Sequence, residues 1–229
     1  MLTTPWFSLG QVVLITATVV LAGIKKQPGI GIILAVIILG VAVGFDKLKL
    51  SDIGFSAPKS WLATILWSLG LGVVIAFVST LVIEPAAEKM AGQPHDLSIL
   101  EKMRGNWKQL LLMLAVAWIL ASFLEESIFR GFLMSALGSL IGKSGVFASI
   151  GLLISAVVFG LAHWYQGKSA AITTAIIGLL LGDIFIWSGY NLWMPILTHG
   201  VIDTLGLILI YFNQDTGLKK LLLKEKHEY

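Results

Sequence analysis

Apolar residues run through this chain in long unbroken stretches, separated by short polar knots, rather than in the alternation of a strand or the one-sided stripe of a surface helix. Seven of these stretches are long enough to be read as helical spans, at roughly 6–24, 29–45, 61–83, 107–136, 146–163, 170–187 and 191–212. Gly and Pro mark the joints: Gln27-Pro28-Gly29, Ser56-Ala57-Pro58, Glu84-Pro85, Gly142 to Gly145, Gly167 and Ser188-Gly189. The pattern predicts an all-α, polytopic transmembrane bundle of seven or eight spans, with residues 1–229 forming a single integral-membrane domain. The fourth stretch is too long for an upright helix. The only sizeable loop, 84–106, has mixed charge and reads as a partly helical connector on the membrane surface; 213–229 reads as a basic tail.

Composition agrees with the pattern. Of 229 residues 57% are hydrophobic and only 13% charged, with mean hydropathy +0.90, against about 25% charged in soluble domains. Net charge is +3, but the basic residues sit in loops and at the tail, which implies contact with lipid headgroups and not nucleic-acid binding. The absence of cysteine excludes disulfides, a thiol nucleophile and thiolate zinc sites. Trp6 to Ile24 lacks a basic leader and a small-residue cleavage site, so it is expected to be retained. Under the seven-span reading one side collects Lys25, Lys26, Lys89, Lys102, Arg104, Lys108, Lys168, Lys219, Lys220, Lys224 and Lys226, the other only Lys47, Lys49, Lys59 and Lys143. That asymmetry predicts a cytoplasmic C-terminus.

Against this apolar background a few ionisable residues stand out. Glu125-Glu126-Ser127-Ile128-Phe129-Arg130 places two carboxylates and a guanidinium in the fourth stretch, where each such group costs at least roughly 2.5–3.5 kcal/mol near the bilayer centre and is by default functional. On a helix Glu126 and Arg130 share a face, so Arg130 can hold Glu126 ionised and fixed, whereas Glu125 points about 100° away, free to face a cavity as a general base. His163 follows Phe159 by four residues near the end of the fifth stretch, and His199 and Asp203 share a face of the seventh. Taken singly, His163 reads as an interfacial anchor and the His199/Asp203 pair as either packing or function. Asp183 lies in the sixth stretch with packing or a cavity-lining role open. His95 and His227 read as loop residues without chemistry.

The order Glu-Glu-x-x-x-Arg at 125–130, Phe-x-x-x-His at 159–163 and His-x-x-x-Asp at 199–203, on separate apolar stretches, resembles the CAAX-protease and bacteriocin-processing family of intramembrane proteases, which includes the Ras-converting CAAX endopeptidase. The resemblance covers roughly 84–212 and includes Phe129-Arg130-Gly131-Phe132-Leu133, Tyr165-Gln166-Gly167 and Pro195-Ile196-Leu197-Thr198-His199. It implies an intramembrane endopeptidase in which Glu125 activates water, His163 and His199 position water or bind the oxyanion, and Glu126, Arg130 and Asp203 support them. By residue type Glu125, His163 and His199 are also acceptable zinc ligands, but they lack the His-Glu-x-x-His helix pair, so a metal-free route is favoured and zinc is the alternative.

The implied substrate is a peptide or membrane protein at the lipid bilayer, and the implied location is a bacterial plasma membrane. Leader-peptide processing, bacteriocin self-immunity or cleavage of a membrane partner fit that setting better than prenylated CAAX proteins. The competing classes are a non-catalytic scaffold or bacteriocin-immunity protein and a small transporter. One geometric conflict accompanies the catalytic reading. Glu125 lies about 27 Å along its helix from Trp107, while His163 ends the next one, so the fourth helix must be long and tilted or broken near Gly131 or Gly138.

Overall fold

A computed structural model describes residues 5–45, 49–141 and 145–214; 84% of it is helix, with no strand among the described residues. The helices are α1 (Pro5–Ile24), α2 (Pro28–Phe45), α3 (Trp61–Ala91), α4 (Trp107–Ile141), α5 (Val146–Ala162), α6 (Lys168–Trp187) and α7 (Trp193–Tyr211). Four of these, α3, α4, α6 and α7, are long and apolar enough to cross a membrane; Leu9–Ile24, Pro28–Val41 and Ala148–Ala162 are shorter apolar helices. The basic tail lies beyond Gln214 and so outside the described residues, as do Lys47 and Lys143.

Two boundaries differ from the sequence expectation. α3 does not stop at 83 but continues through Glu84-Pro85 to Ala91, so the connector begins at Gly92, whose φ of 68° ends the helix in the left-handed region. Pro85 removes a backbone donor that an α-helix interior needs, and the π-helical segment Ser79–Ile83 directly before it widens the winding enough to carry the chain past. α4 is unbroken from Trp107 to Ile141, a 35-residue helix about 50 Å long against a hydrocarbon layer of about 30 Å. Asn106 caps its start, its side chain accepting from the backbone N–H groups of Lys108 and Gln109.

Packing follows the apolar faces. α1 and α2 form a hairpin laid against α4 and α5, sharing the largest core with Ile15, Phe129, Phe132 and Phe159. α3 pairs with α7 and α5 with α6; Ile75, Leu181 and Ile202 join α3, α6 and α7. The outward faces keep large apolar residues such as Leu62, Leu66, Val74 and Phe77 of α3 exposed, which suits a lipid surround. Trp61 stacks near Trp193 and Trp67 near Trp187 at one end of the bundle, with Trp107 and Trp164 exposed at helix ends elsewhere.

The connector is tied down where it crosses the start of α6. The Asp96 N–H donates to the Gln166 carbonyl at 2.9 Å, the His95 N–H to Glu88 Oε1 at 3.4 Å, and the His95 ring meets the buried Thr173 hydroxyl at 3.2 Å. Arg104 joins the start of α4 to the end of α7 through the Ile210 carbonyl and Asn213.

Candidate active site

The carboxylate pair lies where α4 changes winding. π-helical geometry covers Ala117–Glu125 and Ser127–Met134, with Glu126 between them. Serines satisfy carbonyls on this stretch: Ser122 Oγ donates to the Ala117 carbonyl at 3.0 Å and Ser127 Oγ to that of Phe123 at 2.6 Å. Wide turns of this kind recur at functional sites because they re-aim side chains out of the α register.

Glu126 is fully buried, and its Oε1 accepts from both Arg130 Nη1 and His199 Nδ1, each at 2.8 Å. Arg130, equally buried, donates through Nη2 to the Gly178 carbonyl at 2.9 Å and stands 4.5 Å over the Phe159 ring. This one ion pair therefore joins α4 to α5, α6 and α7. The i, i+4 partnership of Glu126 and Arg130 is the one expected from sequence; the attachment of His199 to Glu126 is not. Asp203, on the same face of α7, has its Oδ2 3.6 Å from His199 Nε2, within ion-pair reach but beyond hydrogen-bond length.

Glu125 points the other way, into a cavity of about 460 Å³ that it shares with His163, His199, Asp203 and Tyr165. Its Oε2 is 3.9 Å from His163 Nε2 and has no hydrogen-bond partner among the described residues. His163 sits just past the end of α5, where its Nδ1 donates to the Phe159 carbonyl at 2.9 Å and its Nε2 is turned toward Glu125. The Phe159 ring lies between the two imidazoles, with centroids 4.7 Å from His163 and 6.0 Å from His199.

The conflict over Glu125 and His163 is resolved without a break at Gly131 or Gly138. α4 continues to Ile141 and α5 returns antiparallel from Val146, so Glu125, 16 residues before the turn, and His163, 17 residues after it, stand level. Counting from Trp107 measures from the wrong end of an overlong helix. Gly131 instead brings α4 against Ile53, whose carbonyl oxygen would lie 2.8 Å from any Cβ placed there.

Other residues fall differently. Asp183 is exposed on α6, away from the cavity. His95, read as a bare loop residue, is on the cavity wall, as are Glu84, Gln166 and Thr173. Helix register continued through Pro85 is the signal that would have placed Glu84. Among the described residues no group of three His, Asp or Glu side chains is arranged to hold a metal ion.

Residues 107–205 match the model of the family described as type II CAAX prenyl endopeptidase Rce1-like, a family of proteases. The matched segment runs from the first residue of α4 into α7 and contains Glu125, Glu126, Arg130, His163, His199 and Asp203. No curated protein and no solved structure matches the chain.

Proposed function

We propose that this protein is an intramembrane endopeptidase whose base is Glu125. The observation that carries the reading is Glu125 on the cavity wall, with a buried Oε2 that has no hydrogen-bond partner among the described residues and stands 3.9 Å from His163 Nε2. His163 Nδ1 is a donor to a carbonyl, so Nε2 of the neutral ring is a lone-pair acceptor, as is the carboxylate. A water between them donates one hydrogen to each and turns a lone pair toward a peptide carbonyl. As the oxygen–carbon bond forms, the proton passes to Glu125; it is returned to the departing amine when the carbon–nitrogen bond breaks. His199, its Nδ1–H held by Glu126, presents Nε2 to the cavity beside Asp203; as an imidazolium flanked by these two carboxylates it carries a second N–H at Nε2, which donates to the developing oxyanion. Glu126 and Arg130 position it.

We favour a metal-free route. Among the described residues no three His, Asp or Glu side chains are grouped to hold a metal ion; the Nδ1 contacts of His163 to the Phe159 carbonyl and of His199 to Glu126 leave both Nε2 atoms for a water or a substrate. Replacement of Glu125 by Gln, which keeps the side-chain volume, is expected to abolish cleavage of a peptide pool by detergent-purified protein, and chelation is expected to leave the parent rate unchanged. Undiminished turnover by Glu125→Gln overturns the assignment. Gradient-driven uptake by proteoliposomes with no hydrolysis would support a transporter instead.

The membrane arrangement we infer is seven spans in a bacterial plasma membrane with the C-terminus cytoplasmic. The chain lacks cysteine, so Lys26→Cys and Gly189→Cys give unique thiols. Impermeant reagent added to intact cells is expected to label the second and not the first.

A further inference from the structure

Resting on the peptidase reading, the site is short of hydrogen-bond donors. The tetrahedral adduct of a peptide carbonyl carries a full negative charge on its oxygen, and hydrolytic sites aim preorganised donors at that atom. Glu125, Glu126 and Asp203, as carboxylates, only accept, and neutral His163, whose Nδ1 donates to the Phe159 carbonyl, presents an accepting Nε2. Arg130 is off the cavity wall, with Nη1 on Glu126 and Nη2 on the Gly178 carbonyl. Of these residues and His199, only His199 Nε2–H is left to donate to the adduct.

Three hydroxyls on the wall are engaged elsewhere. Ser79 Oγ donates to Glu84 Oε1 at 3.2 Å, Thr174 Oγ1 to the Ala170 carbonyl at 2.8 Å, and Thr173 Oγ1 meets the His95 ring at 3.2 Å. Tyr165 differs. It lies in the turn Trp164–Gln166 between α5 and α6, and its ring stands beside the His163 imidazole on the cavity wall, with centroids 5.9 Å apart. Its Oη accepts from Gln166 Nε2 at 3.2 Å, and no acceptor among the described residues takes the hydroxyl hydrogen. A phenol that accepts from one side turns its own hydrogen away from that donor. The turn is itself fixed: the Gln166 carbonyl accepts from the Asp96 N–H at 2.9 Å, and the Gln166 N–H donates to the His163 carbonyl at 3.0 Å. Burial, and then the neighbouring charges of Glu125 and Asp203, push the pKa of this phenol above its ordinary value, so the group stays protonated.

We propose that Tyr165 is a further catalytic residue, its hydroxyl donating to the oxyanion together with His199 Nε2–H. No proton leaves the phenol. As the water oxygen adds to the peptide carbon, the carbonyl electron pair moves onto oxygen, and the two hydrogen bonds strengthen with that charge. A contact that strengthens only as charge develops lowers the barrier and leaves affinity for the uncleaved peptide unchanged.

The test uses the full chain in nanodiscs, one peptide that it cleaves from the pool, and the same peptide with a phosphinate, a stable tetrahedral anion, in place of the scissile bond. Tyr165→Phe keeps the ring and removes the hydroxyl, and its folding is checked by thermal unfolding. It is expected to lower kcat and to weaken phosphinate binding by a common factor of about 10- to 100-fold, the value of one hydrogen bond to a charged group. Affinity for the ordinary peptide, read by adding Tyr165→Phe to Glu125→Gln so that nothing is cut, is expected to stay the same. Gln166→Met, which keeps the phenol and withdraws the amide that orients it, is expected to lower kcat and phosphinate binding by less. An unchanged kcat in folded Tyr165→Phe, a lower kcat with phosphinate binding intact, or equal losses for phosphinate and ordinary peptide overturns the inference and leaves the peptidase reading standing. Failure of the parent protein to cleave any peptide removes both.

Discussion

α3 and α4 are the two overlong helices, and each has π-helical winding where its polar side chains turn inward, yet they use it in opposite ways. In α4 the winding is followed by a stretch in which every residue from Ser127 to Met134 is buried, and the Glu126–Arg130 pair is completed by partners on three other helices. In α3 only Ser79 of the π-helical segment is buried, and Glu84 is half-exposed at a cavity edge. A charge deep in α4 must be fully paired, since an uncompensated one is penalised there. Glu84, at the edge of α3, is only partly buried and is held by the Ser79 hydroxyl. α4 therefore supplies a fixed, fully paired frame, and α3 a polar edge to the cavity.

The largest effect that would break this comparison is on rate. Removal of the base in Glu125→Gln is expected to lower turnover by about 10²–10⁴-fold with folding intact, whereas Glu84→Gln is expected to leave turnover of a neutral peptide within a fewfold. A comparable loss in both, measured at saturating peptide, would erase the distinction between the two helices.

Stability gives the next largest contrast. Glu126→Ala strands Arg130 and leaves His199 Nδ1 without its carboxylate, which is expected to destabilise the bundle by about 3–5 kcal/mol; Glu125→Ala removes a group with no protein hydrogen bond on Oε2 and should cost far less. Thermal unfolding in one detergent ranks them, and equal loss in both would refute separate duties for adjacent acids.

Glycine contacts sharpen the comparison at smaller scale. A Cβ on Gly131 of α4 meets the Ile53 carbonyl, and one on Gly72 of α3 meets Val201 and the Thr198 carbonyl of α7. Overpacking of this kind commonly costs about 1–3 kcal/mol. Both Ala variants are expected to lower the unfolding midpoint, but only Gly72→Ala pushes on the turn of α7 that carries His199 and so should lower turnover beyond its stability loss. The smallest expected effect is that of Ser79→Ala, about 0.5–1.5 kcal/mol for one hydrogen bond, read as a slight fall in the unfolding midpoint.

Much of this was written in the sequence alone. Uninterrupted apolar stretches determined an all-helical chain with long spanning helices, because no other open structure satisfies its backbone in lipid, and the i, i+4 spacing of Glu126 and Arg130 determined their pairing before any fold was known. The motif order was enough to mark the segment now matched by the family model. Tertiary structure decided what periodicity cannot encode. The length of α4 past 136 set Glu125 level with His163, π-helical winding carried α3 past Pro85 and so placed Glu84 on the cavity, and the packing of α7 on α4 gave His199 Nδ1 to Glu126. Each of these depends on where one helix end or face lies relative to another, a relation between residues up to 73 positions apart that no local pattern of hydrophobic and polar residues specifies.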